Sequence, residues 1–166
     1  MNKLKYELRD LNVLMATAVA AIFIFVDFSV WCALGSPIYI LRFVSCYVPT
    51  LPLWVFGLFD FISYALLGFS LGAILSTSCP VYDVHKYRGA FYFAVGVTLA
   101  FLHHVFFFSG AGFFAALFIV LLQCLFLSIA LINFYRVSKL ASIIAALGVL
   151  WSFYLFVLNF MTFFFM

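Results

Sequence analysis

The sequence predicts an all-α integral membrane protein, a bundle of five transmembrane helices. Composition is the first observation: of 166 residues, 69% are hydrophobic and 8% charged, a balance no water-soluble domain of this size can bury. The second is arrangement. The apolar residues form five continuous runs, roughly 11–34, 52–75, 90–108, 113–135 and 140–165. Each suffices for a helix crossing about 30 Å of hydrocarbon, which takes about 20 residues. The third is the placing of Lys and Arg, nearly all of which fall in alternate gaps between the runs. Lipid offers no water to backbone amides, so each run must be helical or part of a closed barrel. Period-two alternation is absent, which selects helices.

The first run follows Lys3, Lys5 and Arg9. It is too long for the apolar core of a cleaved signal peptide, and Ala16-Thr17-Ala18 lies too early to be a cleavage site, so it is read as a span. Gly35-Ser36-Pro37 stops it. Pro49 and Pro52 prepare the second span, because proline is tolerated in a first helical turn. Ser76-Thr77-Ser78-Cys79-Pro80 ends that span, and Gly68-x-x-x-Gly72 inside it suits close helix packing, within one bundle in preference to a dimer. Along the third span lie the small residues Ala90, Ala94 and Gly96. Ser109-Gly110-Ala111-Gly112 makes the tight turn to the fourth. Arg136 and Lys139 separate the fourth from the fifth. The gaps 35–51 and 76–89 are too short for a core of their own, so residues 1–166 are expected to form a single transmembrane domain.

Orientation follows from the basic residues. Lys3, Lys5, Arg9, Lys86, Arg88, Arg136 and Lys139 share one side of a five-span chain, and only Arg42 lies on the other. The positive-inside rule places the N-terminus and the 76–89 and 136–139 connections in the cytoplasm, and the 35–51 loop and C-terminus outside. The net charge of +3 therefore reports topology, and no basic cluster is dense enough for nucleic acid. Cys32, Cys46, Cys79 and Cys124 lack zinc-type spacing. Cys32 and Cys46 share the outer side, where a disulfide is open to them, but small buried hydrophobes are the preferred reading.

Ionisable groups inside hydrocarbon cost about 2.5–3.5 kcal/mol on insertion scales and usually face a cavity or a partner. This chain has Asp27, Asp60, His103 and His104. At about 1.5 Å per residue, they and Asn159 fall about 6–12 Å below the outer ends of their helices. The expectation is a shared polar site under the 35–51 loop, with Asp60 its deepest member. Neighbouring histidines point about 100° apart on a helix, so at most one faces a given point. Two carboxylates and a histidine could hold zinc or iron; the spacing is not diagnostic, and no metal site is assigned. No triad, phosphate loop or dinucleotide fingerprint is present.

Two stretches carry a resemblance. Pro52-Leu53-Trp54-Val55-Phe56-Gly57, followed by Tyr64-Ala65-Leu66-Leu67-Gly68, resembles the second-helix signature of the TspO/MBR family, the tryptophan-rich sensory proteins and translocator proteins. Phe134-Tyr135-Arg136-Val137-Ser138-Lys139-Leu140-Ala141, leading without a gap to Trp151 and Leu158-Asn159, resembles that family's last connection and fifth helix. The resemblance covers roughly 35–165. There are departures. The third-helix Asn-x-x-Trp-Ser falls on Ala100 to His104, the second tryptophan of helix 2 on Asp60, and the Pro-Tyr before Trp151 on Leu147-Gly148. Only Trp31, Trp54 and Trp151 remain of a tryptophan-rich pocket.

The resemblance implies a multi-pass membrane receptor for a hydrophobic or amphipathic ligand, a porphyrin (tetrapyrrole), haem or a sterol-like lipid, held in an outward-opening cavity with a transport or sensory role. Trp54, Tyr64, Trp151 and Asn159 are the carried-over ligand-binding candidates, and Asp60 and His103 the changed positions. No cofactor is required, no catalytic residue is assigned, and the expected partners are membrane lipid, the ligand and a second copy in a homodimer. A bacterial cell membrane is the expected setting. Two alternatives stand beside it: a small metal- or proton-coupled transporter using Asp27, Asp60 and His103, and a tetrapyrrole-degrading enzyme, against which the lost tryptophans argue.

Overall fold

A computed structural model describes residues 12–34, 38–46, 48–77, 83–109 and 112–165. Helix α1 runs Val13–Ala33, α2 Ile38–Ser45, α3 Leu53–Ser76, α4 Asp83–Phe108, α5 Phe113–Val137 and α6 Lys139–Phe165. Five of these, all but α2, are long and apolar enough to cross a membrane. Lys3, Lys5, Arg9, Gly35-Ser36-Pro37, Tyr47, Ser78-Cys79-Pro80 and Gly110-Ala111 lie outside the described residues.

Two elements differ from the sequence reading. The third span begins at Asp83, seven residues before the expected 90. Asp83, His85, Lys86 and Arg88 therefore occupy helical turns and not a connection, because a helix continues past the hydrocarbon into water while an apolar run ends at its edge. The second difference is α2, an eight-residue helix within the 35–51 loop. On it Leu41 and Val44 are buried while Tyr39 is exposed, the sidedness of an amphipathic helix, and Val48 just beyond its end is buried as well.

The spans form a ring in the order α1, α3, α6, α5, α4, with the sparsest packing where α1 meets α4. Small residues set the closest approaches. A methyl group on Gly68 or Gly72 would stand 2.8 Å from Ala20 Cα or 2.6 Å from Ala16 Cα, so the Gly68-x-x-x-Gly72 motif joins α1 to α3 within one bundle. Gly148 brings α6 against Leu67 and Ser63 of α3, and Gly96 brings α4 against Leu127 of α5. Outward faces carry large apolar groups such as Leu14, Phe25, Leu125 and Phe164, as contact with acyl chains requires. On α1 only Ala16 and Asp27 are buried.

Inside the ring are two apolar layers. One, under α2, contains Phe56, Phe107, Phe108, Val120 and Leu155. The other, toward the opposite end, contains Leu67, Ile74, Phe93, Leu127 and Phe134.

Candidate functional site

A belt of polar groups crosses the bundle interior. Asp60 sits on the face of α3 shared by Phe56, Tyr64 and Leu67, spaced by three and four residues, and is fully buried. Its two oxygens collect three donors or partners from three other helices. Trp151 of α6 donates Nε1–H to Oδ1 at 2.7 Å. Trp31 of α1 donates Nε1–H to Oδ2 at 3.0 Å. His104 of α4 places Nε2 2.9 Å from the same Oδ2. A carboxylate buried in hydrocarbon is tolerated only with such partners.

His104 is oriented from behind. Its Nδ1 lies 2.9 Å from the carbonyl oxygen of Ala100, which can only accept, so Nδ1 carries a proton. The Tyr64 hydroxyl is 3.5 Å from the same nitrogen. Asp27, one helical turn before Trp31 on α1, is also completely buried, yet neither of its oxygens has a hydrogen-bond partner among the described residues. Donor atoms of Asp27, Asp60 and His104 all lie within 4.8 Å of one another.

The neighbouring histidine turns to another partner. Asn159 donates its amide to His103 Nε2 at 2.9 Å and to the Leu155 carbonyl at 2.8 Å. His103 stacks on Phe107 with centroids 5.6 Å apart. The coupled trio of the sequence reading is thus corrected: His104, not His103, joins Asp27 and Asp60, because the 100° between successive residues sends the two rings to different helices.

Of the six sequence-derived candidates, Asp60, Tyr64 and Trp151 come together around the carboxylate, and His103 and Asn159 pair beside them. Trp54 is not brought to this cluster. It stands on the first turn of α3 with 73% of its surface exposed, the position of an interfacial anchor. Trp31 and His104 are not among those six, although depth along α4 already places His104 at the level of the polar site. The signal for Trp31 was its four-residue spacing from Asp27, which puts both on one helix face. A second polar pair was not singled out either: Gln123 of α5 donates to Ser152 Oγ at 2.8 Å.

Trp151 has two faces of use. While its indole nitrogen holds Asp60, its ring lines an apolar groove of about 460 Å³ between α3 and α6, with Phe59, Ile62, Leu147, Leu150 and Tyr154. Phe59 and Tyr154 stack on it, with centroids 5.7 and 4.8 Å away. This groove opens sideways, through residues that are about half exposed on the outer surface of the bundle (Phe59 48%, Leu147 54%). The expected cavity opened along the bundle toward the outer aqueous side. Around Asp60 itself the interior is filled by rings, with Phe56 edge-on to Trp151 at 5.1 Å and Phe108 beside His104 at 5.4 Å. Cys32 and Cys46 are exposed free thiols and Cys124 is a buried one.

Comparison with known proteins gives one family. The model of the TspO/MBR family matches residues 48–164, from the end of the α2 segment almost to the end of α6. No curated protein matches the chain in sequence.

Proposed function

Because the chain belongs to the TspO/MBR family of multi-pass membrane proteins, we propose that it is a receptor for a hydrophobic or amphipathic small molecule of the porphyrin or sterol-like kind. The ligand enters the α3–α6 groove from the bilayer. One observation carries this reading: Trp151 is at once a wall of the groove and a hydrogen-bond donor to the buried Asp60. A flat ligand packed in the groove against this Phe59–Trp151–Tyr154 aromatic wall therefore presses on a group tied through Asp60 to α1 and α4. A groove of this volume, apolar with one anchored aromatic, is of the usual small-molecule kind. Binding, not catalysis, is the proposed role, and protoporphyrin incubated anaerobically under illumination is expected to emerge unchanged. The cytoplasm faces the end carrying Lys86, Arg136 and Lys139, in a bacterial cell membrane. Lipid and a second copy, meeting the Ala90 and Ala94 face of α4, are the other partners.

Fluorescence quenching tests it. Purified protein with Trp54→Phe, which removes the exposed indole, is titrated with protoporphyrin, haem and a fluorescence-quenching sterol analogue. Saturable quenching is expected, with affinity falling at least about 10-fold on adding Leu150→Trp to fill the groove, equivalent to about 1.4 kcal/mol. Equal titrations in both proteins would remove the groove from the reading.

A second reading, ion-coupled transport, draws on the contiguity of Asp27, Asp60 and His104 across three helices. Flux in proteoliposomes that changes between about pH 5 and 8, where histidine ordinarily titrates, would favour it over simple reception.

A further inference from the structure

We propose that Asp27, Asp60 and His104 form a binding site for one divalent first-row transition-metal cation of the zinc, iron or manganese kind. The site is separate from the α3–α6 groove and does not depend on any ligand entering there.

The argument begins with Asp27. A carboxyl group that is wholly buried and lacks any hydrogen-bond partner is costly whether charged or neutral. Neither Asp27 oxygen has a partner among the described residues, yet one of them lies within 4.8 Å of a donor atom on each of Asp60 and His104. A cation bound there would satisfy it. Two carboxylates and a neutral imidazole carry two negative charges, which a divalent ion cancels, leaving a neutral cluster in a hydrocarbon interior where net charge is costly.

The surroundings of the other two ligands fit the same role. His104 gives its Nδ1–H to the Ala100 carbonyl at 2.9 Å, so Nε2, which faces Asp60 Oδ2, is the nitrogen a metal would take, with release of any proton held between the two. Metal-bound histidines are ordinarily held in this way by their second nitrogen. Asp60 is held by two indoles, Trp31 at 3.0 Å and Trp151 at 2.7 Å, which fix a ligating carboxylate without competing as acceptors. Metal–ligand bonds of about 2.1 Å at right to tetrahedral angles set neighbouring donors about 3.0–3.4 Å apart. Nε2 and Oδ2 are already 2.9 Å apart. Asp27, with no hydrogen-bond partner among the described residues, would close the remaining distance by turning its side chain. One imidazole with two carboxylates suits zinc, iron or manganese; calcium and magnesium prefer all-oxygen shells of six or more ligands. Three protein ligands leave a coordination position open. The seam between α1 and α4, the helices that carry Asp27 and His104, is the most sparsely packed in the ring.

The test uses full-length protein without a histidine tag, in detergent, stripped with chelator and then titrated with Zn²⁺ or Co²⁺. Cys32→Ser and Cys46→Ser remove exposed thiols that would bind either ion. About one equivalent per chain is expected, with visible Co²⁺ ligand-field bands and a thermal stabilisation that chelator reverses. Asp27→Asn is expected to abolish the bands and lower affinity about 100-fold or more, and Trp31→Phe to lower it about 10–100-fold at unchanged stoichiometry. Wild-type protein that takes up no cation, or that binds as tightly as Asp27→Asn, overturns the proposal. Should Asp27→Asn not fold, His104→Gln replaces it with the same two outcomes.

Discussion

At the end of the bundle carrying Lys86 and Arg136, polar groups reach backbone carbonyls and one another from the rim, whereas beneath α2 the ionisable groups lie wholly inside. Lys86 extends from α4 to donate to the carbonyls of Leu75 and Thr77, both at 2.8 Å. These are terminal carbonyls of α3 that no further turn can satisfy. His85 bridges Asn133 at 3.2 Å and accepts from Arg136 at 3.3 Å. Ser70 donates across helices to the Ala141 carbonyl at 2.9 Å. His85 and Lys86 are half-buried and Arg136 exposed, and the buried Ser70 reaches a carbonyl in the first turn of α6. Asp60 and His104 are wholly buried, and are satisfied by each other, by two indoles and, at His104 Nδ1, by the Ala100 carbonyl. The rim arrangement can lose a member and rehydrate, while in the interior a lost member leaves its partners buried without a substitute.

That contrast is broken most severely at Asp60. Replacing it with Ala strands the Trp31 and Trp151 N–H groups and His104 Nε2 together. Each buried polar group left without its partner costs about 1–3 kcal/mol, so the losses together are a large share of a domain's stability. Asp60→Ala is expected to lose the monodisperse peak in fluorescence-detected size exclusion after mild heating. Asp60→Asn, which keeps an acceptor oxygen, should be intermediate. A wild-type melting profile for Asp60→Ala would mean that the cluster holds nothing together.

Three turns further along the same helix, α3 depends on the absence of a side chain. Gly72→Leu drives its Cβ toward Ala16 Cα, 2.6 Å away, and backbone cannot yield as a flexible side chain would. Overpacking of this kind costs about 1–3 kcal/mol, and α1, with only Ala16 and Asp27 buried, is the element free to move away. The expected outcome is a lower melting temperature together with loss of Trp31 contact to Asp60, read as a red shift in tryptophan emission. A destabilised variant with unchanged emission would place the damage elsewhere in the packing.

The five spans were legible because lipid demands long apolar helices, and their ends were readable to within two residues except at α4, whose charged first turns look like a loop to any hydropathy count. Helix α2 was missed although Leu41 and Val44 share its buried face; eight residues beside proline and glycine read as a connection. For the polar belt, depth along each helix was legible and azimuth was not. Residue spacing set Asp60 and the histidines at one level, but which of His103 and His104 faces α3 depends on the rotation of α4, fixed by Gly96 against Leu127 and Gly89 against Phe134. Trp54 shows the converse, since a position in a familiar motif gave no information about which way the first turn of α3 would point it.

The smallest effect is expected at the rim. Lys86→Met retains the apolar stem that covers the end of α3 and removes only the ammonium group. The carbonyls of Leu75 and Thr77 are then left to water, which is close at this end of the helix, so the loss should be about 1 kcal/mol or less. Its melting temperature should fall by a small fraction of the drop seen for Asp60→Ala. The positive-inside argument supplies a second readout for the same variant: six of the seven basic residues of that side remain, so accessibility labelling of Cys46 should report unchanged orientation. A large loss of stability in Lys86→Met would show that this end is as dry as the Asp60 cluster, and the division of the bundle into a hydrated rim and a closed polar interior would have to be redrawn with the hydrocarbon boundary beyond α3.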